Sequence, residues 1–352
     1  MQLIDSRTVR VLTTILLFAA VMAFIYLARH TLIAFLFAIF FAYLIDPLVA
    51  KVERRLKGKR GRAIAIIYVG LIIALAIFFL LVGPRLGQEA SRLAKTLPQL
   101  YEKVATGEII GTFGSRHGWS EETQKRTQAF LDTHRDQILG WLGDVGTRVA
   151  ALAAYSWWLV LIPILAVFFL KDGKALADGA IDTLAGRRQR QFAEDVVKDI
   201  NTMLAHYLRA QITLAALSLV FYVILLLVLH VGYAVVLGTI GGFLEFVPVV
   251  GPLVATVLIL GVALGTGYGH MVILLVLLGG WRVLQDYVNS PRIMGSRVEL
   301  HPLAALFGVL AGAELGGVVG VYLSIPIMAT LRIVWRRWQA YDRSRMLEPR
   351  TS

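Results

Sequence analysis

The sequence predicts an all-α polytopic membrane protein, and three observations carry that prediction. Hydrophobic residues make up 57% of the 352-residue chain and charged residues only 16%, too little charge to cover a soluble surface of this size. The apolar residues come in blocks close to the roughly 20 that a helix needs to cross hydrocarbon. Those blocks are sustained, without period-two alternation, which argues against an outer-membrane barrel. The reading is about six full transmembrane helices plus two broken or re-entrant helical stretches, with eight full spans as the alternative.

The first block, 9–28, follows Arg7 and Arg10. Its basic start resembles a signal peptide, but Thr31 opens a second block with no cleavage region between, so it reads as an uncleaved span. Block two, 31–50, ends in Asp46-Pro47 and runs into KVERRLKGKRGR, residues 51–62, with seven basic residues against one acidic. A short loop of that charge belongs in the cytoplasm, which puts the amino terminus there too. Block three, 63–82, leaves the membrane at Gly83-Pro84.

Residues 84–148 carry nine basic and eight acidic residues, a balance that suits an extracytoplasmic segment. Ala90, Leu93, Ala94, Leu97, Tyr101 and Val104 recur at helical spacing and predict one amphipathic helix. A second is predicted from Ser120 as N-cap, with Glu121 and Glu122 in its first turn and Phe130, Leu131, Ile138, Trp141 and Leu142 on its apolar face. These helices serve either as a vestibule or lid, or as packing surfaces for partner subunits or the bilayer. Block four, 149–170, contains Trp157, Trp158 and Pro163, the tryptophans reading as interfacial anchors. An amphipathic stripe from Phe192 to Leu208 then leads into block five, 212–229.

The last third of the chain differs. From Leu229 onward it holds 17 of the 32 glycines. Two apolar stretches there, 233–264 and 302–334, are interrupted by EFVPVVGP (Glu245 to Pro252) and AELGGVVG (Ala313 to Gly320). Proline removes a backbone donor and glycine weakens a helix, so both stretches are expected to bend or unwind within the membrane. Unwound backbone persists there only where protein or water satisfies it, and broken helices of this kind build transport sites. Glu245 and Gly251 share their spacing with Glu314 and Gly320, a weak sign of an internal repeat. The pairs Gly238/Gly242, Gly308/Gly312, Gly312/Gly316 and Gly316/Gly320 are also small-xxx-small steps suited to close helix packing. A carboxylate at membrane depth costs several kcal/mol and lines a cavity or pairs with a base. Arg282 and Asp286, one turn apart in block 271–288, are placed to pair with each other or with these glutamates. If 233–264 is a hairpin, Arg292 and Arg297 fall in the cytoplasm, which obeys the charge rule better than eight spans do. The organisation is thus 1–83, three spans; 84–148, the extracytoplasmic helical segment; and 149–352, a transport core.

The segment 207–326 resembles the autoinducer-2 exporter family of bacterial membrane proteins, the PerM-like permeases. The residues that carry the resemblance are YLRAQ at 207–211, FLEFVPVVGPLVA at 243–255, LQDYVNSPRIMGSRVELHPL at 284–303 and GVLAGAELGGVVGVYLSIPIMA at 308–329. Weaker echoes, in Asp46-Pro47, Pro84, Pro98 and 169–172, extend it over nearly the whole chain, while 84–148 matches poorly. Glu245 departs from the pattern, which carries asparagine or a small polar residue there at least as often. The resemblance implies a multispan exporter or permease of the bacterial cytoplasmic membrane. Members are linked to export of the quorum-sensing furanone autoinducer-2, others to sodium/proton antiport, and homo-oligomers suit such a family.

Other classes fit less well. No G-x-x-x-x-G-K-[ST] loop is present for ATP, and no H-E-x-x-H or clustered nucleophile and base for an embedded enzyme. Zero cysteines remove disulfides and thiolate metal sites, and the seven histidines show no ligand spacing. Neither a cofactor nor a metal is therefore expected. The net charge of +12 is placed as membrane topology demands, without implying nucleic acid. The expectation is secondary transport of a small molecule or ion, with a non-transporting scaffold in membrane lipid as the competing reading. The expected pathway is Glu245, Pro248, Gly251, Pro252, Gln285, Asp286, Asn289, Pro291, Glu314, Gly317 and Gly320. Gln211, Gln285, Asn289 and Ser290 would suit a neutral polyol-like solute; Glu245, Asp286 and Glu314 would suit cation or proton coupling.

Overall fold

The computed structural model describes residues 6–105, 158–184, 186–295 and 301–347, with scattered positions between 120 and 140. Among the described residues every regular element is helical. The chain divides into two compact units, Met1–Ile67 with Ala151–Ala180, and Tyr68–Ala150 with Ile181–Ser352. Among the described residues, six helical segments are by length and composition long and apolar enough to cross a membrane: Arg10–Leu27, Arg29–Arg55, Arg60–Leu81, Arg187–Val228, Met271–Met294 and Leu303–Arg343. Block four is not among them, because 149–157 lies outside the described residues.

In the first unit, α1 (Ser6–Leu27) exposes its apolar side chains from Val11 to Leu27. Such a surface is tolerable only against lipid or another protein. Helix α2 (Arg29–Arg55) buries Ala34, Ala38, Ala42, Ile45 and Val49, steps of four and three that define one face. Arg60 opens α3 (Arg60–Leu81) and ties three elements together. Its guanidinium donates to Asp46 at 2.7 Å, to Glu53 at 3.0 Å and to the Leu170 carbonyl of α5 (Trp158–Asp182) at 2.6 Å. The basic loop read from sequence as a topology signal thus also anchors packing.

In the second unit the chain passes from α3 into α4 (Gly83–Ala105) with a bend only at Val82, which keeps helical bonds on both sides. Pro84 falls in the first turn of α4, where its missing N–H costs nothing. The backbone of the unit is α6 (Arg187–Val228), 42 residues long and therefore about 63 Å, about twice the hydrocarbon thickness. Its polar amino-terminal half pairs with the end of the chain: Arg337 donates to Asp199 at 2.7 Å and to Asp195 at 3.1 Å, with Phe192 against Tyr341.

The stretch 233–264 is a helical hairpin of α7 (Ala234–Leu244) and α8 (Val250–Gly265). With 11 and 16 residues these arms reach about 16 and 24 Å, each short of the roughly 30 Å of hydrocarbon. Helix α7 lies directly on α6. A Cβ at Gly242 would stand 2.6 Å from Leu219 Cα, and one at Gly238 2.7 Å from Val223 N, so this small-xxx-small step is filled by the α6 backbone. Tyr222, Leu226, Leu237, Ile259, Val262 and Leu274 form the core around it, joined by Leu93 of α4. Helix α9 (Met271–Leu284) follows, then a π-helical turn, Gln285–Asn289, and the short α10 (Ser290–Met294).

The last helix, α11 (Pro302–Leu347), is interrupted at Gly317, whose φ of 56° and ψ of −138° are not helical. A Cβ at Gly320 would stand 2.0 Å from the Gly312 carbonyl oxygen. Eight residues along a straight helix separate two positions by about 12 Å, so α11 folds back on itself. Gly308 meets Met328 across the two arms. Both stretches read from sequence as broken are therefore helix–turn–helix reversals.

Candidate functional site

The site is built on one face of α6. Tyr207, Gln211, Ser218 and Tyr222 recur at steps of four, seven and four, which align on a helix. All four are buried, at 0%, 6%, 0% and 2% exposure. A polar stripe in an apolar helix is unfavourable unless each group finds a partner, and three of the four do so through α7–α8 and α9.

The reversal between α7 and α8 supplies the first partners. Phe246 N and Val247 N close the end of α7 on the Phe243 and Leu244 carbonyls, and Val250 N donates to Pro248 O at 2.7 Å. That last bond encloses a single residue, Val249, at φ 67° and ψ −55°. A three-residue turn with positive φ is rare, and it is strained for a β-branched residue. Gly251 is forced by the same geometry: a Cβ there would stand 1.7 Å from Leu244 O. The turn thereby presents Glu245 to α6. Its carbonyl accepts a hydrogen bond from Gln211 Nε2 at 2.7 Å, and its carboxylate accepts one from Tyr222 Oη at 2.8 Å.

Helix α9 and the π turn supply the rest. Gln285 is 3% exposed and donates from Nε2 to Ser218 Oγ at 2.7 Å and to Leu214 O at 3.1 Å. Its Oε1 accepts from Asn289 Nδ2 at 2.7 Å. Trp281 donates from Nε1 to Ser218 Oγ at 3.1 Å and stacks on Phe221 with centroids 4.0 Å apart. Arg282 pairs with Asp286 through two bonds, one of them Nε to Oδ2 at 2.8 Å, and its Nη1 lies 3.6 Å from Glu245 Oε2. One guanidinium thus faces two carboxylates. Local π geometry is a common mark of functional positions because it turns side chains out of the α-helical register.

Of the residues expected from sequence, Glu245, Pro248, Gly251 and Pro252 form or flank the reversal, and Gln285, Asp286 and Asn289 stand beside it on the next helix. Pro291 follows the π turn in α10 and is exposed. Glu314, Gly317 and Gly320 lie at the tip of the second reversal. Glu314 is exposed, and among the described residues no hydrogen bond or ion pair joins it to the Glu245 cluster; the structure does not bring the two interruptions together. Ser218, Tyr222 and Trp281 belong to the cluster but were not expected. The signal for the first two was present in the four-seven-four spacing of polar residues along an otherwise apolar block.

An 11-residue half-helix, a strained reversal and a buried set of hydrogen-bonded amides, hydroxyls and a carboxylate thus sit together in the second unit. The AI-2E family transporter model matches residues 15–340 of the chain. The chain belongs to the AI-2E transporter family. It is 23% identical over 312 residues to YrrI of Bacillus subtilis, covering 86% of this chain and 85% of that protein. With PerM of Escherichia coli K12 it shares 22% over 326 residues, 86% of each chain. With the AI-2 transport protein TqsA of Escherichia coli K12 it shares 24% over 314 residues, 87% of this chain and 86% of TqsA. Membership of this family makes the chain a multi-pass membrane transport protein, and the AI-2E match runs across the α6 stripe, both reversals and the π turn.

Proposed function

We propose that this AI-2E transporter is a secondary exporter of a small, uncharged, polar solute, with autoinducer-2 as the candidate suggested by TqsA. The path runs along the polar face of α6, past the Glu245 reversal and the Gln285–Asn289 turn. The observation that carries this reading is the buried network of Gln211, Ser218, Tyr222, Glu245 and Gln285. Groups that offer both donors and acceptors suit hydroxyl and carbonyl oxygens, and polar groups at this depth commonly line a path. Glu314, Gly317 and Gly320 belong to the second reversal, which acts as a separate gating element, and Pro248, Gly251, Pro252 and Pro291 fix the backbone that moves.

In this reading the protein sits in the bacterial cytoplasmic membrane with both termini inside and 84–148 outside, and α7–α8 enters and leaves on one side. The apolar face of α1 meets lipid or a second copy in a homo-oligomer. Cation or proton antiport is the second reading. It is favoured by Arg282 lying between Glu245 and Asp286, a triad left with one negative charge when both carboxylates are ionised. Neither reading assigns the chain an enzymatic step.

Thermal unfolding of the purified protein tests the solute. A ligand at a hundredfold its Kd stabilises by about 2.7 kcal/mol. Autoinducer-2 is expected to raise the midpoint of the wild type and not of Gln285→Leu. A shift with sodium but none with autoinducer-2 would favour antiport; equal shifts in both proteins would remove this site from solute binding.

A further inference from the structure

We infer that Tyr207 is a second solute station on the α6 face, a hydrogen-bonding site for an uncharged hydroxyl or carbonyl group between α6 and the second reversal. The inference rests on the transport reading above and extends its path by one turn of α6. Its observation is independent of the Glu245 network. Tyr207 is 0% exposed, and among the described residues its hydroxyl has no hydrogen-bond partner, whereas Gln211, Ser218 and Tyr222 are all partnered. A buried hydroxyl left unmade costs about 1–3 kcal/mol. Phenylalanine would fill the same volume without that cost, so the hydroxyl is not explained by packing.

The surroundings define the chemistry. Helix α11, which carries Tyr322, packs on α6. Arg282, Asp286 and Glu245 pair with one another farther along the stripe. The neighbours of Tyr207 on α6, Met203, Leu204, Leu208 and Ala210, are buried and apolar. His206 beside it is held on the Met294 carbonyl, and Arg209 is exposed and donates to Ala205 O. The phenol itself, able to donate and accept among apolar buried neighbours, is therefore poorly suited to an ion. It does suit a neutral oxygen function passing from Gln211 toward the second reversal. The Arg282 triad handles charge; the Tyr207 station handles hydroxyl or carbonyl groups.

The native chain has no cysteine, so single-cysteine variants of the full chain in proteoliposomes test the station without a known substrate. Tyr207→Cys, Gln211→Cys and Leu226→Cys would be treated with 2-hydroxyethyl methanethiosulfonate and followed by mass. Leu226 is equally buried on the same helix but lies in the apolar core. The expected result is labelling of 207 and 211 at least tenfold faster than 226. The anionic 2-sulfonatoethyl reagent should lag at 207 by at least tenfold after correction for the reagents' ratio at exposed Lys125→Cys; equal corrected rates would overturn the uncharged assignment. Labelling of 211 with 207 as slow as 226 would end the path at the Glu245 reversal, defeating this inference alone. Both as slow as 226 would defeat the transport path with it. Tyr207→Phe separates a station from a fixed structural contact. Removal of an unpaired hydroxyl is expected to leave the thermal midpoint at or above wild type, and a lower midpoint would mean that the hydroxyl is permanently satisfied and would overturn the inference.

Discussion

Adding one methyl group at Gly251 should be among the most damaging small changes in the second unit. An alanine Cβ there falls 1.7 Å from Leu244 O, whereas Cβ contacts under 3.0 Å essentially never occur, so a gap of at least 1.3 Å must open. The obstructing atom is backbone, and no rotamer change can relieve the clash. Leu244 O also accepts the Val247 N–H that closes α7, and the next residue holds the carbonyl that accepts from Gln211. Overpacking costs about 1–3 kcal/mol where side chains can yield, and occasionally more; here the upper end is expected. Alanine's helix preference returns at most about 1 kcal/mol, leaving a net loss of about 2 kcal/mol. Gly261→Ala is the control: the same helix, with nothing within 4 Å of its Cβ, should gain about 0.5–1 kcal/mol. Thermal midpoints in detergent, read by tryptophan fluorescence, are expected to fall for Gly251→Ala and rise slightly for Gly261→Ala. Equal midpoints for the two variants would refute the assignment of a tight reversal at 245–251.

Three further changes probe the second reversal, the α4–α7 cap and the Glu245 carboxylate. Gly320→Ala should lower the midpoint much as Gly251→Ala does, because its Cβ would stand 2.0 Å from Gly312 O, while Gly279→Ala, with open space around it, should not; parity would mean that α11 is straight. Glu89→Ala should cost about 1 kcal/mol as a lost cap, since one carboxylate oxygen accepts from Val235 N and Val236 N at 3.0 Å each at the start of α7; an unchanged midpoint would show that α4 does not hold the hairpin. Glu245→Gln keeps an acceptor for Tyr222 and leaves Arg282 paired with Asp286, so stability should change by less than about 1 kcal/mol, below the ~3–5 kcal/mol of an orphaned buried charge. Any cation dependence of flux should disappear in that variant, and its persistence would remove Glu245 from coupling.

Much of this architecture was legible because lipid leaves few alternatives for a chain with so little charge. The interruptions at 245–252 and 313–320 could be read from proline and glycine alone, and both proved to be reversals. Gly238 and Gly242 were readable as packing residues by their spacing, though not that α6 would be their neighbour. Other features depend on contacts that no local pattern specifies. Arg60 joins three helices across 110 residues, and Gln285 reaches Ser218 from 67 residues away. Val249 gave no sign of its left-handed backbone, because a β-branched residue is the least expected occupant of that region. Glu314 matched Glu245 in spacing, yet one carboxylate is buried against Tyr222 and the other is exposed at a hairpin tip. The apolar face expected of Phe130, Leu131, Ile138, Trp141 and Leu142 lies outside the described residues.

If the hydrogen-bonded cluster beside the first reversal is a transport path, solute flux depends on it. Purified wild type and Gln285→Leu would be reconstituted into liposomes, and efflux followed for autoinducer-2, glycerol and sodium under imposed proton and sodium gradients. The leucine variant removes the amide that bridges Ser218, Leu214 and Asn289 while keeping an apolar side chain of similar length. Wild-type flux of at least one solute above protein-free liposomes is expected, with a loss of at least tenfold in Gln285→Leu from equal amounts of folded protein. Flux of the same size in both proteins, or none above background for any solute under any gradient, would contradict a transport path there.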